Sequence, residues 1–115
     1  MRRKEPCVYI LTNKHHTVLY TGVTSDLSRR MAEHFSGSGG VFTRRYKANK
    51  LVFAEFFPTM IQAIMAEKRI KAGSRAKKIA LIEAANPEWL DLMDTSGREE
   101  TPATGEDSED RPTNN

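Results

Sequence analysis

The stretch "LYTGVTSDLSRRMAEHF", residues 19–35, holds the first side chains in this sequence that could do chemistry together. A strand-like apolar run ends on Tyr20-Thr21-Gly22 and passes into a helical segment carrying Arg29, Arg30 and His34. Arginine's planar, permanently charged fork can hold two oxygens of one phosphate. Arginines turned outward on a helix are equally explained as a solvated face, and this stretch alone leaves both readings open. Gly22, with no Cβ, lets a phosphate or a substrate backbone come close to the strand end. His34 is four residues beyond Arg30 on the same helical stripe, where it can hold a phosphate or water, shuttle a proton, or simply cap the helix. Glu67, taken alone, reads most simply as an i,i+4 ion pair with Lys71. His15 and His16 have no acidic partner nearby in sequence, so no metal role is expected of them.

These groups need strands and helices to bring them together. "CVYILTN" and "VLYTGV" are short, nearly continuous apolar runs, which predicts a hairpin covered on both faces by helices. With a loop of residues 13–16, Thr12 faces Thr17 and Tyr9 faces Tyr20, setting two phenols side by side. Thr24 or Ser25 is expected to cap the next helix, with Asp26 in its first turn and Leu27, Met31 and Phe35 as its buried stripe. "SGSGG" at 36–40 ends that helix, a basic loop follows, and "LVFAEFF" reads as a third strand. Thr59 caps a helix to about Lys71 with Ile61, Ile64, Met65 and Lys68 facing the core. Gly73 breaks it, Ser74 caps another helix, and Asn86-Pro87 opens a last turn in which Trp89 closes over the core. The expected order is β-β-α-β-α-α, a small α+β domain with a three-stranded antiparallel sheet flanked by helices.

At 115 residues the chain has room for one core. A single cysteine, Cys7, excludes an intrachain disulfide framework and any CxxC zinc spacing. No run approaches the roughly 18 apolar residues of a membrane span, and the first residues lack the apolar core of a secretion signal. A soluble, cytoplasmic protein with no membrane partner is expected. The net charge of +3 conceals an asymmetry: residues 94–115 hold seven acidic residues and two arginines, so residues 1–93 carry +8. A compact domain of that charge attracts polyanions, nucleic acid first among them. Residues 94–115 contain no Val, Ile, Leu, Met or aromatic residue and read as a disordered acidic tail. That tail either solubilises the chain or competes with nucleic acid for the basic domain.

"VYI" at 8–10, "YTG" at 20–22, Arg30, His34, and Glu67 on a helix after the third strand resemble the GIY-YIG nuclease domain over about residues 5–92. "YTGVTSDLSRRMAEH" with "SRAKKIALIEAANPEWLDL" is similar to its small stand-alone bacterial branch. The first motif here reads Cys7-Val8-Tyr9, without the family's glycine, and Thr21 replaces isoleucine in the second. Both tyrosines and Gly22 remain.

The resemblance implies a metal-dependent endonuclease that hydrolyses DNA phosphodiester bonds, selected by nucleic-acid shape rather than base sequence, with a place in repair or recombination. By resemblance Glu67 is the sole protein ligand of one Mg²⁺ or Mn²⁺, an arrangement suited to a cation that gives up water reluctantly. Arg30 contacts the scissile phosphate, and Tyr9 and Tyr20 are both candidates for the general base, the preferred assignment being Tyr9 as base with Tyr20 positioning water or phosphate. Arg29, Arg44, Arg45, Lys68, Lys71, Arg75, Lys77 and Lys78 supply backbone contacts to DNA, or to RNA. The rival is a non-catalytic module with the same fold that binds nucleic acid and relies on a protein partner to deliver substrate.

Overall fold

The structure, a computed structural model, describes residues 4–36 and 45–93. Most of the Gly/Ser segment after the first helix, Arg44 and the acidic tail lie outside the described residues. The elements are β1 (Cys7–Thr12), β2 (Leu19–Thr24), α1 (Leu27–Phe35), β3 (Lys50–Phe56), α2 (Met60–Ala72) and α3 (Arg75–Ala85). The sheet order is β2-β1-β3, antiparallel throughout, so the expected small α+β architecture is the one observed.

All six residues of the central strand β1 are buried, because helices cover both of its faces. Cys7, Tyr9 and Leu11 pack with Leu27 and Met31 of α1. Ile10, on the other face, packs with Val52, Ile82 of α3 and Trp89, and Val8 packs with Ala63 and Ala66 of α2. The chain therefore forms three layers, with α1 on one side of the sheet and α2 and α3 on the other. Met31 is fully buried, and a side chain of that size contributes about 1.5–3 kcal/mol through burial.

Several local expectations are corrected. The hairpin register places Tyr9 opposite Gly22 and Tyr20 opposite Leu11, two residues from the expected pairing. Asn13 is the reason. Its Oδ1 accepts from the amides of Thr17 (2.8 Å) and Val18 (3.4 Å), and its Nδ2 donates to Thr17 Oγ1 (2.6 Å), which holds residues 13–18 as a longer loop. A shift of two keeps both tyrosines on one face. Asp26, rather than Thr24 or Ser25, is the α1 cap: its Oδ1 accepts from Arg29 N at 3.2 Å, while Thr24 Oγ1 accepts from Asp26 N at 3.1 Å. Phe35 lies outside the buried stripe, exposed at the helix end.

The expected inner face of α2 is also wrong. Ile61 is 72% exposed, Met65 is 55% exposed and Lys68 faces solvent, whereas Ala63 and Ala66 are buried. The helix lies across β1 and β2 against Val8 and Val23, where small side chains allow close approach. Thr59 and Ser74 cap α2 and α3 as expected, accepting from Gln62 N (3.2 Å) and Lys77 N (3.1 Å). Asn86 ends α3, and its Nδ2 donates to Val52 O of β3 at 3.1 Å, which pins the following turn over the core.

Candidate active site

On the α1 side of the sheet, three rings form a triangle. Tyr9 and Tyr20 have centroids 6.4 Å apart, and His34 meets them edge-on at 5.9 and 5.8 Å. They meet for separate local reasons. Tyr9 and Tyr20 project from one face of adjacent strands, and α1 runs back along that face so that its last turn brings in His34.

Hydrogen bonds tie the triangle to Arg30. Tyr9 Oη is 3.2 Å from His34 Nε2 and accepts from Arg30 Nε at 3.3 Å. Burial pushes the His34 pKa down to about 4, with the Arg30 charge acting in the same direction. The imidazole is therefore neutral near pH 7 and can take the Tyr9 proton in its hydrogen bond. Burial likewise raises the Tyr9 phenol above its ordinary 10, against the opposing pull of Arg30's hydrogen bond.

Tyr9 is only 1% exposed, which is a poor placement for the general base expected of it. A group sealed in the core with a raised pKa neither meets a substrate water nor ionises readily. Tyr20 is only partly buried and is the phenol within reach of a ligand. The space above Gly22 is also different from expectation. A Cβ there would overlap the Tyr9 phenol, so the glycine makes room for the tyrosine ring rather than for an incoming strand.

Arg30 is held from a second side by Glu33, whose Oε1 accepts from Nη1 at 2.8 Å, and Glu33 Oε2 accepts from Arg29 Nη1 at 2.8 Å. Glu33 and then Tyr9 raise the guanidinium's pKa further, so it stays charged at any working pH. Sequence reasoning does not single out Glu33, although its spacing of three and four from the two arginines is the signal for it. Arg29 is more exposed than Arg30 and contacts Asp26 and Glu33 rather than the triangle.

Glu67 is on the other layer. It follows Ala63 and Ala66 on the sheet-facing stripe of α2, and its side chain is 13% exposed and paired with Lys71 at 2.9 Å. The structure thus joins Tyr9, Tyr20, Arg30 and His34 by hydrogen bonds and ring contacts, while Glu67, on the helix that packs against the other face of β1 and the edge strand β2, has Lys71 as its ion-pair partner. Arg45 is exposed over the Tyr46 ring (5.6 Å), Lys68 and Lys77 are exposed, Lys78 Nζ donates to Gly73 O (2.6 Å), and Arg75 Nη2 donates to His16 O (2.9 Å). Thr21, the variant position of the second motif, has a buried hydroxyl with no hydrogen-bond partner among the described residues.

Among the described residues no three His, Cys, Asp or Glu side chains are grouped to hold a metal, and no helix is long and apolar enough to cross a membrane. An all-protein metal cage is therefore not present among these residues. A single, largely buried carboxylate such as Glu67 suits a hard cation that keeps most of its own waters.

The GIY-YIG catalytic domain matches residues 5–80. A UPF0213 protein of Natronomonas pharaonis is 43% identical over 75 residues, covering 65% of this chain and 87% of that protein. One from Staphylococcus saprophyticus is 37% identical over 75 residues, covering 65% and 90%. The solution NMR structure of a UPF0213 protein from Bacillus halodurans aligns with a TM-score of 0.52 at 32% identity, covering 83% of this chain and 99% of that one. With a matching domain over most of its length, these relatives and the same small α+β architecture, the chain belongs to the GIY-YIG catalytic-domain family, alongside the UPF0213 proteins.

Proposed function

We propose that this protein is a metal-dependent endonuclease that hydrolyses DNA phosphodiester bonds and selects nucleic-acid shape rather than base sequence. The observation that carries the reading is the convergence of Tyr9, Tyr20, His34 and Arg30 on one buried hydrogen-bonded centre. Hydrolysis needs water deprotonated, charge on the phosphorane stabilised and the leaving alkoxide neutralised. Arg30 supplies the fixed positive charge, and the scissile phosphate would take the place of Glu33 on its guanidinium while Nε stays on Tyr9. Tyr20 meets the attacking water, orients it and, having given its own hydroxyl proton to solvent, takes the water's proton as the oxygen adds to phosphorus. Tyr9 and His34 are positioning residues: the buried phenol sets the angle of Arg30 through Nε, and the neutral imidazole sets the phenol.

Glu67 would hold one Mg²⁺ or Mn²⁺, giving up Lys71 to do so. When bound, that ion would supply charge neutralisation to the phosphate and leaving oxygen of a strand crossing the edge of the sheet at β2, against which α2 packs. A cellular role in DNA repair and a cytoplasmic setting go with this reading. The test incubates the chain with branched, flapped, single-stranded and duplex DNA and structured RNA in Mg²⁺ or Mn²⁺, beside Glu67→Gln and Arg30→Ala. Cleavage lost in both variants with binding kept supports the enzyme.

The Glu67–Lys71 ion pair on the far layer favours one alternative, a nucleic-acid-binding module that cuts only when a protein partner delivers substrate. Salt-sensitive binding with equal inactivity in all three proteins would establish it.

A further inference from the structure

The tip of the β1–β2 hairpin is built around His16, which the function above does not use. His16 adopts a left-handed backbone (φ 59°), and its ring stacks on Trp89 with centroids 4.5 Å apart and planes at 21°. Lys50 Nζ is 3.0 Å from His16 Nε2, and Arg75 Nη2 donates to the His16 carbonyl at 2.9 Å. Lys14 is exposed in the same loop. Three elements distant in sequence thus deliver positive charge to one spot: the hairpin tip, the first residue of β3 and the first residue of α3.

The charge is uncompensated. Arg29, Arg30 and Lys71 each have a carboxylate partner, whereas among the described residues none pairs with Lys14, Lys50 or Arg75. Of the acids near in sequence to Trp89 and β3, Asp91 accepts from Leu51 N (3.2 Å) and Met93 N (3.1 Å), Glu83 accepts from the Trp89 indole (2.8 Å), and Glu88, exposed beside Trp89, forms no ion pair with Lys14, Lys50 or Arg75. In accord with this field, burial, then Lys50 and His15, hold the His16 pKa below its usual value.

We propose that the hairpin tip with Lys50 and Arg75 is a phosphate-backbone contact for the nucleic-acid substrate, separate from the Tyr9 centre and indifferent to base sequence. The spacing suits one bound strand. Tyr20 lies four residues from His16, at most about 13 Å along an extended chain, so one strand reaches from one to the other within a few nucleotides. Charge without a recognition helix gives register and affinity, not base readout. The inference rests on the nucleic-acid reading above and says where the strand leaves the catalytic centre.

The test measures binding of labelled duplex and single-stranded DNA across a salt series, using the full chain with Arg30→Ala so that substrate is not cut. In that background Lys14→Gln, Lys50→Gln and Arg75→Gln are combined. The expected result is a slope of log K against log salt reduced by about 2–3 for duplex, at about 0.9 for each phosphate no longer neutralised. Replacing Arg75→Gln by Arg75→Lys in that variant recovers close to one phosphate's share of that slope, which a purely structural role for the Arg75–His16 hydrogen bond would not do. NMR titration of His16 gives a second readout: saturating DNA raises its pKa in the parent chain and leaves it unmoved in the triple variant. An unchanged slope in the triple variant, with a reduced slope in Lys68→Gln/Lys71→Gln, overturns the proposal and leaves the nuclease reading standing. Absence of salt-dependent binding in the parent chain overturns both.

Discussion

The two sides of the sheet do different physical work. On the α1 side, four polar side chains are packed within hydrogen-bond or ring contact of one another, and their positions are over-determined by strand register, helix direction and burial. On the α2 and α3 side the basic groups stand mostly in solvent. Their action at a distance depends on charge rather than angle. The contrast teaches that substitutions preserving charge should be damaging on one side and harmless on the other.

The largest expected effect follows directly. Arg30→Lys keeps the charge and loses both the fork and the Nε hydrogen bond to Tyr9, so DNA cleavage should fall about 10²-fold. Lys68→Arg on the opposite side should change affinity by less than about twofold. Steady-state cleavage and anisotropy binding on the two variants decide it, and equal effects would abolish the distinction.

Next in size is a pH effect confined to the α1 side. His34 is held neutral, with a pKa of about 4 in the folded chain against about 6.5 unfolded. The unfolded chain takes up the proton first, so this contribution is complete above about pH 6.5 and is lost as pH falls toward 4. The loss approaches about 3 kcal/mol. Denaturant melts at pH 7 and pH 4.5 should show this drop in the parent chain and a flatter profile in His34→Gln.

Gly22→Ala should cost about 2 kcal/mol, because the new methyl group overlaps the Tyr9 phenol and forces it off its rotamer. Thermal melts would show it, with a matching change in the His34 resonance. The smallest effect has the opposite sign. Thr21 lies on the α2 and α3 side of β2, 5% exposed, with its hydroxyl unpaired. Thr21→Val should stabilise the chain by about 1 kcal/mol, since a buried unsatisfied hydroxyl is removed while the shape is kept.

The same contrast explains what could be read from the sequence. The α1-side residues were legible because each belongs to a motif of fixed spacing, and the element order followed from runs, caps and breakers such as Thr59, Gly73 and Ser74. The hairpin register was not legible. It depends on the Asn13 side chain closing a six-residue loop, and nothing in the composition of residues 13–18 distinguishes that from a four-residue turn. The inner face of α2 was misread because large apolar residues are weighted over alanines, whereas close packing on Val8 and Val23 selects Ala63 and Ala66. That reversal also turns Glu67 toward the sheet-facing stripe, its side chain 13% exposed. Exposure could not be read for Tyr9 either, since its burial depends on α1 closing over it, and Tyr20 is left as the more exposed of the two phenols.

The central claim is that the Tyr9–Tyr20–His34–Arg30 centre cuts phosphodiester bonds. Its most direct test is the single-turnover cleavage rate of a flapped or branched DNA in Mg²⁺, with protein in excess, for the parent chain and Arg30→Ala at equal substrate occupancy. The account predicts measurable cleavage by the parent and a rate about 10²–10³-fold lower for Arg30→Ala. Cleavage at the parental rate by Arg30→Ala, or none by a parent chain saturated with DNA, would contradict it.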